Sequence, residues 1–561
     1  MSTKMLTPIT LWNDFDDSLP LNTEIVKETA QGNAKLTYIK FSGRAYGSSR
    51  VRIFGLYAKP LTGSSFPALL ILPDVEHTCD ENLALHFVEK GYAVLMVDYG
   101  GVRDNGDYTI YPEELSYANY RDDNCARRTQ FVDDTAKETS WYEWVGVARY
   151  ALKWMRDCEE IGLVGVLGLK RGGDVAWQLA ATADVDCVIS ICAGGWNAYR
   201  GICKFGDNTE LKMDDERYRF LAAVDAQAYA QYVRCPVLML CATNDSGFDA
   251  DRAFDTFARI NSEQEKTFYF SARYDGHIGN SALNDLHLFT DKYLKGREVF
   301  MPEPVEISIE EDEGDLVAKI RFDRNGEAKY CEVYMAEDNL DSATRDWTRG
   351  SLKRDEGDGV AYFYLNAYEG SKMVFAFAKA KYSCGFAVSS KIAVKRLEKR
   401  YLNSSSVSRI LYSSKEGTGS FTLNCYNKNV VADCFLDNTQ KPVYLKEGPC
   451  GIKGVSSSYG LRLYRLSDSR YRPSGNALLK LDVYSDKEQE LNVSVVIAGK
   501  QKREEFICKL RLPGGEKWFN YILSAKDFKN EVNKPLPAFS DGTYVTFSAA
   551  DEFCLNNFLW L

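Results

Sequence analysis

The residue with the largest chemical consequence in this 561-residue sequence is Lys170. It stands in Val164-Gly-Val-Leu-Gly-Leu-Lys-Arg-Gly-Gly173, which predicts a buried strand, a tight turn and then a helix through Ala181. Gly168 and Gly172 bracket the turn, and glycine at both flanks lets strand and helix approach closely around a strained apex. A lysine amine at that apex has three uses. If neutral, it forms a Schiff base with a ketone or aldehyde, and burial and the helix N-terminus both favour the neutral form. If charged, it holds an anionic substrate or a developing oxyanion, and Asp74 or Glu76 close by would favour the charge. Or it pairs with Glu76 and plugs an idle site. Attack of the amine on an ester would leave an amide, which does not turn over easily.

Several elements must position this apex. Pro67–Pro73 and Tyr92–Asp98 are continuous apolar runs, the mark of strands buried on both faces. A helical stretch over 81–90 joins them into a right-handed βαβ unit. Lys35–Phe41 and Val51–Ala58 alternate in polarity and predict a hairpin before it, after an extended lead-in over residues 1–30. Residues 99–138 are polar, aromatic and acidic, too long for a simple loop, and are expected to form a lid or substrate wall. Thr139 and Ser140 cap a helix carrying Trp141 and Trp144 at core spacing. A strand at 187–193 releases Gly194–Arg200 at its C-terminal end, where open α/β sheets take ligands, so Trp196, Tyr199 and Arg200 are pocket candidates. Arg171 could meet a substrate carboxylate, or face solvent at the start of the helix. Strands at 236–241 and 267–270 and a last helix ending near Gly296 complete the unit.

From this point the first 298 residues resemble the α/β-hydrolase superfamily, and within it the acetyl-xylan-esterase and dienelactone-hydrolase branch. The Gly-x-x-x-Gly turn then occupies the place of the nucleophile elbow. The resemblance implies that Asp245, after the strand that follows Pro236, is the catalytic acid, with Asp249 in reserve. It implies that His277, on the last loop, is the base. It also makes Val75 and Glu76 substrate-facing residues of the oxyanion loop, together with Arg171, Trp196 and Tyr199. Two features depart from the pattern. Lys170 replaces the serine, and the oxyanion loop Pro73-Asp-Val-Glu-His77 has no glycine and carries two acids. Both count against ordinary ester hydrolysis.

Beyond Pro302-Glu-Pro304 the pattern changes to short alternating strands. The expected organisation is an α/β-hydrolase domain, a doubly wound and mostly parallel sheet, over 1–298, followed by two all-β sandwiches. Residues 299–398 suit an immunoglobulin-like fold. Residues 399–561 resemble a galactose-binding-like jelly roll, carried by Trp518–Phe528 and Phe553–Leu561, with Trp518 and Trp560 read as core rather than as a sugar platform. The net charge of −10 and the lack of a long Lys/Arg run exclude a nucleic-acid partner. No apolar segment is long enough for a membrane helix, and the N-terminal residues lack the apolar centre of a signal peptide. Fifteen cysteines scattered singly predict buried thiols in the cytoplasm, and four histidines away from any cysteine pair predict no metal site. His86 and His287 are expected to be structural, and His77 could touch the pocket. No cofactor is expected. The reading is an enzyme acting on a small carbonyl or acyl compound, carbohydrate-linked in one version, through Schiff-base or electrostatic chemistry at Lys170. The alternatives are a dead-site scaffold that binds a ligand or carbohydrate, and a conventional esterase. The β domains could support a homo-oligomer.

Overall fold

The computed structural model describes residues 6–101, 107–122, 125–261, 263–276, 278–423, 443–457, 460–498 and 503–561. Among them, nine strands form the first sheet: β1 (Glu24–Gln31), β2 (Ala34–Tyr46), β3 (Ser49–Pro60), β4 (Phe66–Leu72), β5 (Ala93–Asp98), β6 (Ile161–Leu169), β7 (Cys187–Ile191), β8 (Val237–Ala242) and β9 (Lys266–Ser271). Their order is β1-β2-β3-β5-β4-β6-β7-β8-β9. The first four in that row pair antiparallel, and β5 onward pair parallel.

The continuous apolar runs of β4 to β8 follow from burial on both faces. In β4, Ala68, Leu70 and Leu72 enter one core with the helices Ser140–Arg156 and Arg171–Thr182. Leu69 and Ile71 enter the other with the helices Glu81–Glu89 and Asn280–Lys295. The period of two assigns successive side chains to opposite cores. Thr139 caps Ser140–Arg156, accepting a hydrogen bond from the Tyr142 amide, and Gly296 ends Asn280–Lys295 in the left-handed conformation.

The extended lead-in holds two elements that its sequence does not announce, a helical turn at Pro8–Leu11 and edge strand β1. The helical segment before β8 is broken into Asp215–Ala223, Ala226–Tyr229 and a 3-10 turn at Ala230–Tyr232. The Asp225 carboxylate turns aside at the break to accept from the Ala198 amide at 2.8 Å.

Two pairs of antiparallel sheets follow. Glu306–Asp312, Asp315–Arg321, Val360–Tyr364 and Ser351–Gly357 form one sheet, facing a second built on Ala328–Glu337 and Met373–Tyr382 across a shared core. The second sandwich encloses its own core between a sheet centred on Cys554–Trp560 and a sheet centred on Tyr544–Ala549. Trp560 lies in that core and donates to the Tyr471 carbonyl at 2.8 Å. Trp518 is half-buried and donates to the Pro449 carbonyl. The described cysteines are all free thiols, and no described helix is long and apolar enough to cross a membrane.

The sandwiches are fastened to the α/β sheet. The open edge of β9 is covered by the strand Ala387–Ser389, whose Ser389 hydroxyl accepts from the Phe270 amide at 2.9 Å. The Ala387 amide donates to Asp285 on the last helix at 3.0 Å. Arg345 is fully buried and grips Asp251 through two hydrogen bonds, Nη1 to Oδ1 and Nη2 to Oδ2, the latter 2.8 Å.

Candidate active site

The chain runs from β4 one way to β5 and the other way to β6, so the loops after β4 and β6 meet at a topological switch point. Lys170 sits there, at φ 52° and ψ −117°, between β6 and the helix Arg171–Thr182. A side chain at this positive φ is strained, and the backbone holds it firmly. The Lys170 amide donates to the Ile191 carbonyl at 2.7 Å, and its own carbonyl accepts from Gly173 at 2.8 Å and Asp174 at 3.2 Å. The flanking glycines are sterically required. A Cβ on Gly168 would stand 2.5 Å from Gly173 Cα, and one on Gly172 would stand 2.7 Å from the Leu72 carbonyl carbon.

The ammonium of Lys170 opens on a cavity of about 390 Å³. Among the described residues it makes no hydrogen bond and no ion pair within 4 Å. A Cβ placed on Gly276 would lie 3.1 Å from Lys170 Nζ and 3.9 Å from Asp245 Oδ2, so both groups converge on the same glycine. Burial disfavours the lysine charge, but Asp245 first, then Asp74, Cys192 and Asp275 more than reverse this, and the pKa rises above the ordinary value. Schiff-base chemistry needs the opposite shift. Burial pushes Asp245 up to about 6, against the pull of Lys170 and with a further push from Asp275. The Lys170 ammonium favours the ionised carboxylate, which in turn offsets the lysine charge. Its Oδ1 accepts from the Gly247 amide at 2.7 Å, and its buried Oδ2 makes no hydrogen bond among the described residues.

Glu76 does not plug the site. It accepts from the Tyr120 hydroxyl at 2.8 Å and lies 3.5 Å from Arg171 Nη1. Burial raises its pKa, but these two partners overcome that and leave it lowered. Arg171 is half-buried rather than turned out into solvent. It reaches Asp74 at 3.6 Å and lies over the Tyr120 ring at 5.1 Å. Through Tyr120 the segment 99–138 touches Glu76 and Arg171, but Tyr120 itself lines neither lobe of the cavity. Val75 is wholly buried in the core, and its amide donates to the Asp74 carboxylate at 2.9 Å. In an ester-cleaving site, an amide from this loop stabilises the oxyanion. Here Asp74 occupies that donor and places a negative charge beside it.

A second lobe of about 320 Å³ adjoins the first and carries Trp196 and Tyr199. Both rings are already engaged. Arg259 lies over Trp196 at 4.5 Å and Arg252 over Tyr199 at 4.3 Å. Asp174, pushed up by burial to about 6, holds the loop between them and the elbow through the Gly194 amide and Asn197 Nδ2, both at 2.8 Å. Asp249 is committed to capping Ala250–Ala258 and pairing with Arg252, which leaves Asp245 as the acid at the site. His77 lines the first lobe, and His277 lies outside the described residues. His86 and His287 sit far along the sequence from each other but meet at 3.1 Å between two helices, and burial pushes their pKa values down to about 4 and about 3.

The C-terminal sandwich contributes residues that sequence reasoning missed. Arg462, almost fully buried, pairs with Asp275 and donates to the Tyr464 hydroxyl at 3.1 Å. With Arg503 it lines both lobes. The Asp245 loop is gripped from the first sandwich, where Asn244 Nδ2 donates to the Arg345 carbonyl at 2.9 Å. No local pattern marks an arginine as reaching another sheet, so no sequence signal identified these.

The strand order, the mostly parallel first sheet with helices on both faces and the antiparallel sheets beyond define a multidomain protein whose first unit has the α/β-hydrolase fold. No protein-family model and no curated protein matches the chain. Among solved structures it is similar to an acetyl xylan esterase from a Paenibacillus species, with 15% identity and a TM-score of 0.41 over 52% of this chain and 96% of that one. It is also similar to acetyl xylan esterase 1 from a Thermoanaerobacterium species, with 19% identity and a TM-score of 0.39 over 52% and 95%. A third is Est1E from Butyrivibrio proteoclasticus with ferulic acid bound, with 11% identity and a TM-score of 0.30 over 44% and 94%. Likenesses of this size say nothing about the reaction of this chain.

Proposed function

We propose that this protein is an α/β-hydrolase-fold enzyme whose cleft takes a small anionic carbonyl or acyl compound, and that Lys170 acts on it as a fixed cation. The observation that carries the reading is the unpartnered Lys170 ammonium facing the cavity, with its charge favoured by Asp245 and Asp74. A preorganised cation at the elbow stabilises negative charge resting or developing on a substrate oxygen, without covalent attack. Asp245 is a positioning residue here, since its buried Oδ2 sets the charge of the lysine. Binding without turnover is the second reading. It draws on the missing serine and on the Val75 amide already taken by Asp74.

Calorimetric titration with pyruvate and short-chain carboxylates, run beside borohydride treatment, checks the proposal. Lys170→Gln should weaken anion binding about 10- to 100-fold, the size of a lost charge-assisted contact. Lys170→Arg should stay within about tenfold of the wild type, because a guanidinium keeps the charge. No reduced adduct should form on Lys170 at neutral pH. An adduct with pyruvate, or unchanged binding in Lys170→Gln, would overturn the proposal. Rapid ester hydrolysis that survives Lys170→Gln would point instead to a conventional esterase.

A further inference from the structure

Lys170 is not the only cation left over in the cleft. Arg200 follows the short turn Asn197–Tyr199 and lines both lobes. Among the described residues its guanidinium has no hydrogen bond and no ion pair. Asp245 favours the Arg200 charge without pairing with it, and the other neighbouring acids have other work. Asp74 and Glu76 face Arg171, Asp275 pairs with Arg462, Asp174 holds the Gly194–Asn197 loop, and Asp249 pairs with Arg252. Burial, and next the charge of Arg171, lower the Arg200 pKa, and Tyr120 and Asp245 offset this only in part. The C-terminal sandwich lends Arg503, at the start of the strand Arg503–Leu512, to the lining of the same two lobes. Lys170 and Arg200 thus both line the cleft without a hydrogen bond or an ion pair among the described residues, which leaves two separate points where an anionic group can be met.

We infer that the cleft binds a ligand with two separated anionic groups, one against Lys170 and the second against Arg200 beneath Arg503. This rests on the reading of Lys170 as an anion anchor. It gives the C-terminal sandwich a part in the site, since Arg503 roofs the second subsite and Arg462 locks that roof to the Asp275 loop. The second group is a carboxylate or a phosphoryl group, both of which a guanidinium recognises through paired N–H donors.

The test is calorimetric titration of the full-length protein with succinate, glutarate, adipate and 3-phosphonopropionate, against butyrate, pentanoate and hexanoate. In the wild type, at least one dianion should bind about tenfold or more tightly than the monoacid of equal chain length. Arg200→Gln should reduce that advantage to about twofold or less, and Arg503→Gln should reduce it in part. Lys170→Gln should weaken both series. The preferred dianion tells a carboxylate from a phosphoryl subsite. Equal binding of both series by the wild type, no binding of any member, or a dianion preference untouched by Arg200→Gln would overturn the inference. If Lys170→Gln changes nothing while Arg200→Gln still removes the preference, the Lys170 reading falls and the Arg200 subsite stands.

Discussion

Gly172→Ala should leave little or no soluble protein. Its Cβ would be driven into the backbone at the end of β4, 2.7 Å from the Leu72 carbonyl carbon and closer still to the carbonyl oxygens of Leu72 and Pro73. Those atoms belong to the central sheet and cannot rotate away as a side chain would. Relief requires the elbow helix to lift from the sheet, opening the core that holds Val175, Ala176 and Leu179. Overpacking of an ordinary core site costs about 1–3 kcal/mol, and a backbone collision at a strained turn exceeds that. Against a total stability of about 5–15 kcal/mol, this is a folding defect. Expression yield and thermal melting check it. A Gly172→Ala protein that melts within a few degrees of the wild type would contradict the elbow geometry.

Arg345→Met is expected to destabilise the protein by about 3–5 kcal/mol, the usual cost of removing one partner of a buried ion pair. Arg345 is fully buried, and its partner Asp251 is almost so. The guanidinium also lies 3.6 Å from the centre of the Phe375 ring, and its Nε donates to the Asn339 carbonyl at 2.8 Å. Methionine fills part of the volume and leaves the Asp251 carboxylate without its cation. The double variant Arg345→Met with Asp251→Leu should recover part of the loss, because removing both charges is far less costly than removing one. Urea denaturation followed by tryptophan fluorescence reads both. If the single variant loses less than about 1 kcal/mol, the pair is not the rivet between these units.

What could be read from the sequence follows from how local each signal is. β4, β5, β6, β7 and β8 announce themselves because strands buried on both faces must be apolar throughout, as Ala68–Leu72 and Ala93–Val97 are. β1 does not, because Glu24–Gln31 is exposed along nearly its whole length and has no face to pattern. Ser351–Gly357 escapes for the same reason. The tight strand-to-helix turn at Lys170 was legible, since Gly168 and Gly172 are needed wherever a helix starts so close to a strand. The counter-charges of Lys170 were legible in part. Asp74 was offered and does favour the charge, whereas the fold gives Glu76 to Arg171 and makes Asp245, from another strand end, the largest opposing charge. Arg462 and Arg503, which also line the cleft, come from the second sandwich, far beyond Lys170 along the chain.

The charge of Lys170 is the point on which the functional account turns. Selective isotope labelling of the lysine side chains, with Lys170→Arg to assign the signal, reports its protonation state directly by NMR. The account predicts an ammonium throughout a titration from about pH 6 to about pH 9.5, since the acids around Lys170 hold its pKa above the ordinary 10.5. Asp245→Asn, which removes the largest opposing charge, should lower it. A wild-type lysine that loses its proton within that range would contradict the account and restore the neutral amine that a Schiff base requires.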